Sequence, residues 1–174
     1  LAMHVLQARM LLGTSNGGYA DFSKGLPTET EFSSRACTVS DLNNDGKPDL
    51  LMVSEAQFRR EDYIVKGVMA CYLDKKAWRC EEVQKDRVGA GVFADQIVTG
   101  DINGDGYADV VVGAHFFDNG QNDEGRVFLY LGSASGLTDE PAWTAESNQE
   151  TVDYGWAVSS AGDVNGDGYG DVVV

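Results

Sequence analysis

The segment Asp101-Ile-Asn-Gly-Asp-Gly-Tyr-Ala-Asp109 decides the fold of this protein, because the chain carries it in three closely similar forms. The other two are Asp41-Leu-Asn-Asn-Asp-Gly-Lys-Pro-Asp49 and Asp163-Val-Asn-Gly-Asp-Gly-Tyr-Gly-Asp171. We call residues 41–49, 101–109 and 163–171 Asp loops 1, 2 and 3. Their first Asp residues are 60 and then 62 positions apart. A fixed period of this length predicts a repeated structural unit.

The Asp loops have the chemistry of calcium-binding loops. Oxygen-bearing side chains at positions 1, 3, 5 and 9, with Gly at position 6 for a sharp turn, suit a hard cation that takes six to eight oxygen ligands. The residue at position 7 would add its backbone carbonyl. The predicted calcium ligands, for up to three ions per chain, are Asp41, Asn43, Asp45, Lys47 and Asp49 in loop 1, Asp101, Asn103, Asp105, Tyr107 and Asp109 in loop 2, and Asp163, Asn165, Asp167, Tyr169 and Asp171 in loop 3.

Two other interpretations compete with calcium binding of this kind. An EF-hand loop ends with a bidentate Glu at position 12 and is flanked by helices. Position 12 here is Met52, Val112 or Val174, and each Asp loop runs directly into an apolar, β-branched stretch that predicts a buried strand. The second alternative is a metal-free Asp/Asn/Gly turn. Three closely spaced carboxylates in each of three loops favour a cation.

The order of the remaining segments predicts four short strands in each unit. After each loop and its strand comes a polar stretch, then an apolar strand such as Gly67–Asp74 or Gly125–Gly132. A further copy of this strand occurs at Ala8–Gly13. No segment has a convincing amphipathic helix pattern. Four strands per repeated unit are typical of a β-propeller blade, so we predict an all-β propeller of four-stranded antiparallel blades.

The length of the chain accounts for about three blade equivalents, whereas propellers close with four to eight blades. We therefore expect a partial propeller within a longer chain, or a propeller that closes by association of copies. The predicted domain is a single one over 1–174, with approximate repeat units 1–48, 49–108 and 109–170, and with 171–174 starting the next strand.

The repeats resemble the FG-GAP repeats of integrin α-subunit propellers and their bacterial relatives. Tyr154-Gly155 stands where the family has Phe-Gly, and Gly113-Ala114-His115 stands where it has Gly-Ala-Pro. The repeats also depart from the family pattern, and the first unit is a degenerate member. Phe32-Ser33 and Phe93-Ala94 lack the glycine of the first signature, and Ser54-Glu55-Ala56 replaces the second.

The resemblance implies a calcium-stabilised, non-catalytic scaffold for protein recognition or cell adhesion, outside the cell or at its surface, with a secreted or periplasmic location also open. The alternative is a lectin-like carbohydrate-binding module, or a non-catalytic domain attached to a secreted enzyme. The variable stretches 57–66 and 115–124 are candidate binding surfaces for a protein or carbohydrate ligand. Trp156 is expected to pack between blades, whereas Trp143, in a polar stretch, is the better candidate for a surface position.

Charge and hydropathy exclude two classes of partner. The formal net charge of −15 repels a phosphate backbone, so we predict no nucleic-acid binding. No stretch approaches 18 consecutive apolar residues, so we predict no membrane insertion in this segment.

The cysteines and one serine complete the set of candidates. Cys71 and Cys80 flank a predicted hairpin, where they would form a disulfide or remain two small core residues. Cys37 is expected to be buried. Gly13-Thr-Ser-Asn-Gly17 matches a nucleophile-elbow pattern, but the residues that follow predict a turn rather than the helix this motif requires. Ser15 is therefore not expected to be catalytic.

Overall fold

A computed structural model describes residues 9–28, 34–54, 67–83 and 96–174. The described residues form twelve β-strands and contain no helix. The strands are β1 (Leu11–Gly13), β2 (Tyr19–Asp21), β3 (Ser34–Ser40), β4 (Asp49–Ser54), β5 (Val68–Asp74), β6 (Ala77–Glu82), β7 (Gln96–Gly100), β8 (Asp109–Ala114), β9 (Arg126–Tyr130), β10 (Trp143–Glu146), β11 (Ser159–Gly162) and β12 (Asp171–Val173).

Every strand pairs antiparallel with its neighbour in sequence. Strands β3 to β6 form one four-stranded sheet and β7 to β10 form a second, each in chain order. Strands β1 and β2 form a two-stranded hairpin, and β11 pairs with β12. These up-and-down sheets confirm the predicted all-β fold of four-stranded antiparallel blades.

The second strand of each four-stranded sheet is buried on both faces, which explains why it is continuously apolar. In β4, Leu51 and Val53 face one hydrophobic cluster while Leu50 and Met52 face another. Successive side chains of a strand point to opposite faces, so a strand covered on both sides cannot alternate apolar with polar residues. The continuous apolar run Leu50–Val53 therefore indicates a strand whose sheet is covered on both faces.

Two hydrophobic clusters join the sheets. The larger lies between the two four-stranded sheets and brings together Leu51, Val53, Val68, Ala70, Tyr72, Val110, Val112, Ala114, Phe128 and Tyr130. The smaller joins the first of these sheets to the segment around β1 and β2, through Leu26, Leu50, Met52, Met69, Cys71 and Trp78. Sheets that stack face to face in this way are successive blades of a propeller.

The hairpin between β5 and β6 contains a disulfide. Cys71 and Cys80 are directly paired across the two strands and are bonded, with their Cα atoms 3.9 Å apart. Lys75 makes the turn at a φ of 58°, although the turn lacks the glycine that such hairpins favour. Of the two alternatives for these cysteines, the structure has the disulfide.

Two expectations about single side chains are wrong, and a third is confirmed. Cys37 is exposed, because it lies on the face of β3 opposite Ala36, which packs against the core. Trp156 is 60% exposed and does not pack between blades. Trp143 is 47% exposed, which confirms the expected surface position, and it begins strand β10.

Some residues singled out from the sequence lie outside the described ranges. These are the stretch 57–66 and the aromatic residues Phe32 and Phe93.

Ser15 lies in the turn between β1 and β2, where the carbonyl of Thr14 accepts a backbone hydrogen bond from Gly17. This segment joins two strands, so it is not the strand-to-helix elbow of a hydrolase.

The two glycine signatures meet where the second four-stranded sheet contacts the following unit. A Cβ added to Gly113 would lie 2.2 Å from the backbone oxygen of Gly155, which is much too close for any side chain. Gly155 itself has a φ of 88° and would bring its Cβ to 3.0 Å from the oxygen of Arg126. The glycines at these two positions therefore allow the backbones of successive units to touch.

We predict that Gly113→Ala destabilises the fold by about 1–3 kcal/mol, since it overpacks a backbone contact that has no room for a methyl group. Gly13→Ala is the control: this glycine is also in a strand, and nothing lies within 4 Å of the position of its Cβ. Urea denaturation of both variants would measure the difference. Equal midpoints for the two variants would contradict the close contact.

Candidate functional site

The three Asp loops share one set of hydrogen bonds. The amide at position 6 donates to the first Asp, the amide at position 5 donates to the Asn at position 3, and the amide at position 7 donates to the Asp at position 5. The distances run from 2.8 to 3.2 Å. Each loop is therefore built by its own Asp and Asn side chains, as expected for residues that bind nearby backbone amides.

The Asp at position 9 has a different function from the others, because it joins the loop to the sheet. Asp109 is fully buried and its Oδ2 accepts the amides of Ile102 at 2.8 Å and Asn103 at 3.1 Å. Its Oδ1 accepts the amide of Gly132 at 2.8 Å, just beyond β9. Asp109 thus connects the start of its loop to the third strand of the blade.

Asp49 repeats this arrangement in the first four-stranded sheet. It is fully buried and accepts the amides of Leu42 at 3.1 Å and Leu73 at 3.3 Å. Burial raises the pKa of Asp49, while the two amide donors act in the opposite direction. In loop 3, Asp171 accepts the amide of Val164 at 2.8 Å. Spacing alone predicted these Asp residues as ligands but did not reveal their bonds to the sheet.

Loop 1 differs from the others in carrying a lysine at position 7. The Lys47 ammonium lies 2.8 Å from Asp45 Oδ2, and this hydrogen bond holds the pKa of Asp45 below its usual value. Loops 2 and 3 have tyrosine at this position. In loop 3, the amides of Gly168, Gly166 and Asp167 lower the pKa of Asp163. In loop 1, therefore, the Lys47 ammonium already neutralises part of the negative charge of the carboxylates.

The donor chemistry of the loops fits a hard cation. Each carboxylate or amide oxygen that accepts one backbone N–H keeps a second lone pair, and calcium prefers oxygen ligands of this kind. Glycine at position 6 has a positive φ in all three loops, from 81° in Gly46 to 90° in Gly168. Among the described residues, no three His, Cys, Asp or Glu side chains converge into a ready-made metal cluster. The fit therefore rests on donor type and loop conformation.

A cleft lies at the opposite edge of the sheets from the Asp loops. It has a volume of about 350 Å³ and is lined by Arg35, Gln96, His115, Phe116 and Trp156. Gln96 begins β7 and His115 follows the end of β8, whereas Asp loop 2 joins the other ends of these two strands. The His115 ring is buried against Trp156, with the ring centroids 4.4 Å apart. Sequence analysis placed His115 in a loop but did not foresee this aromatic contact.

The sheets, their stacking and the repeated Asp loops define a β-propeller repeat protein. A family model described as FG-GAP repeat matches residues 93–130. Integrin alpha-PS3 of Drosophila melanogaster is 33% identical over 155 residues, which cover 83% of this chain and 13% of the relative. Integrin alpha-7 of Homo sapiens is 31% identical over 140 residues, or 78% of this chain and 11% of the relative. The chain belongs to the FG-GAP repeat family.

The chain spans only 11% to 13% of the length of these two relatives, so it is similar to a small part of each. Within the part of the chain that the structure describes, no helix has the length and apolarity needed to cross a bilayer.

We predict that Asp109→Asn destabilises the chain by about 1–3 kcal/mol even in the presence of a chelator, because the new amide group cannot accept every buried N–H that Asp109 now accepts. Asp105→Asn removes the same charge from an exposed position of the same loop and should cost less than about 0.5 kcal/mol. Thermal denaturation in EDTA compares the two variants. Similar melting temperatures would show that the hydrogen bonds of Asp109 do not stabilise the fold.

Proposed function

We propose that the chain is a calcium-stabilised, non-catalytic β-propeller scaffold for protein recognition or cell adhesion outside the cell. The observation that carries this proposal is the presence of three Asp loops with the same hydrogen bonds and the same donor set in an FG-GAP protein. The similarity to integrin α chains supports recognition rather than catalysis.

Calcium would act mainly on stability. Each loop gathers three carboxylates within nine residues, and their mutual repulsion opposes folding. Extracellular calcium modules have dissociation constants of roughly 0.1 to 1 mM, so about 1 mM calcium would contribute on the order of 0.4 to 1.4 kcal/mol per site. We expect loop 1 to bind most weakly, because the Lys47 ammonium occupies the neighbourhood of Asp45.

The disulfide between Cys71 and Cys80 supports an extracellular location. Disulfides persist in oxidising compartments and are rare in the cytosol. Calcium loops of millimolar affinity also require calcium at extracellular concentration.

The edge that carries the cleft is the proposed recognition surface. The Asp loops take up the opposite edge, which leaves the cleft and the stretch 115–124 for a partner. Trp156 and Phe116 are exposed there beside polar groups, and aromatic side chains of this kind are enriched at protein interfaces.

Carbohydrate binding is the second candidate function, since the exposed ring of Trp156 could stack on a sugar face. The cleft beside it contains amide, imidazole and guanidinium groups, which offer hydrogen bonds to hydroxyl groups. Protein recognition is the first candidate, because the similar proteins are integrin α chains.

We predict that the chelator-stripped chain binds calcium in a calorimetric titration and that its melting temperature rises. Asp105→Asn should remove one equivalent, because it neutralises a carboxylate of loop 2. Glu140→Gln, which removes an equal charge from an exposed position outside the loops, should remove none. Absence of both binding heat and thermal shift would reduce the Asp loops to metal-free turns.

We also predict that the chain binds immobilised extracellular-matrix protein in calcium, and that Trp156→Ala weakens this binding by more than about tenfold, as expected for a central aromatic contact. Trp143→Ala is the control, because Trp143 is a comparably exposed tryptophan on the outer strand β10. Surface plasmon resonance would compare the variants. Competition by free sugars, with saturable quenching of tryptophan fluorescence, would instead favour the carbohydrate-binding function.

A further inference from the structure

The connection between β8 and β9 contains a second oxygen-rich segment, separate from the Asp loops. It runs through Asp118-Asn-Gly-Gln-Asn-Asp-Glu124 and lies at the cleft edge of the sheet. The segment is closed at its neck, where the Gly125 amide donates to the Phe117 oxygen at 3.1 Å. It is thus a compact loop rather than an open surface stretch, and we call it the Glu124 loop.

Glu124 is the unusual residue of this loop, because its carboxylate is completely buried. One oxygen, Oε1, accepts the backbone amide of Asn119. The other, Oε2, is buried and has no hydrogen-bond donor among the described residues. A buried carboxylate with an unsatisfied oxygen is costly, so proteins rarely keep one without a compensating group.

A second unsatisfied oxygen lies in the same loop. Gln121 Oε1 is also buried, and the described part of the chain supplies it with no donor. Gln121 precedes Glu124 by three positions in a loop that curls back on itself, with Asp123 at a φ of 48°. The segment therefore holds two buried acceptors without donors, only three positions apart in sequence.

The side chains in the described ranges supply no positively charged partner for Glu124. Within the described residues, no lysine or arginine lies within ion-pair distance of Glu124. The nearest arginine in sequence, Arg126, lies 3.7 Å from Glu146 and donates to Thr144 at 2.8 Å.

We propose that the Glu124 loop binds a hard cation through Glu124 Oε2 and Gln121 Oε1. Calcium is the expected ion, because it takes oxygen ligands in a flexible geometry. Asp118 supplies a second carboxylate to the loop, where its Oδ1 accepts the amide of Asp123 at 2.7 Å. No cluster of three acidic side chains forms among the described residues, so backbone carbonyls and water complete the coordination.

This cation would link two successive units of the propeller. The amides of Thr151 and Asp153 donate to the backbone oxygens of Asn122 and Asp123, at 3.0 and 3.3 Å. The Ser147 hydroxyl donates to the oxygen of Glu124 at 2.8 Å. An ion in the Glu124 loop therefore holds the segment that leads to Trp156, so the cleft edge becomes sensitive to the cation independently of the Asp loops.

Native mass spectrometry of the chain in calcium tests the site. We expect Glu124→Gln to bind one ion fewer than the wild type, because it removes the charged oxygen and keeps the acceptor for Asn119. Glu140→Gln, an equal loss of charge at an exposed position, should bind the wild-type number. The combined variant Asp45→Asn/Asp105→Asn/Asp167→Asn should retain one ion that the further change Glu124→Gln removes.

The outcomes separate this site from the Asp loops. If the Asp loops bind nothing, the wild type still binds one ion and Glu124→Gln binds none. An unchanged ion count in folded Glu124→Gln overturns the proposal and leaves an ordered water as the partner of Oε2. If circular dichroism shows that Glu124→Gln does not fold, Gln121→Met decides in the same way: it should weaken one equivalent by more than about tenfold, and unchanged binding refutes the site.

Discussion

The buried carboxylate at the ninth position of Asp loops 1 and 2 is the interaction that holds each four-stranded sheet together. Asp109 and Asp49 accept amides from the start of their own loops and from the third strand of the same sheet. One side chain therefore fixes the turn between the first two strands and the position of the third. A buried charge with two or three amide donors is stable, whereas the same charge without them would be costly. The loop is thus a structural element before any metal binds.

Stacking of the sheets follows from a second constraint, the need to bring backbones together between units. Strand β4 divides its apolar side chains between two clusters, so it requires a neighbour on each side. Gly113 and Gly155 provide the close approach on the other side of the second sheet. The glycines named in the FG-GAP motif accordingly serve packing between units, and the Asp residues serve order within a unit. Loss of the glycines would disturb the packing between units, whereas loss of the Asp residues would disturb the order within a unit.

The two edges of the sheets have different chemistry. One edge carries the Asp loops, with their repeated carboxylates, and is the edge where we propose structural calcium. The other carries the cleft, the exposed ring of Trp156 and the Glu124 loop. The recognition proposed for this chain would then use a surface that the Asp loops do not occupy. The hydrogen bonds from Ser147 and Thr151 to the Glu124 loop connect that surface to the stability of the second sheet.

The sequence by itself determined the repeated unit, its strands and its loops, because these depend on contacts within a few residues. Alternation of side chains, the turn at glycine and the hydrogen bonds within each Asp loop are all local, whereas the bonds of Asp49 to Leu73 and of Asp109 to Gly132 are not. Only the tertiary structure decided the exposure of Cys37 and Trp156 and the burial of Glu124, since these depend on which face another sheet covers. The direct contact between Gly113 and Gly155 belongs to the same class, because it joins residues 42 positions apart through the packing of separate units.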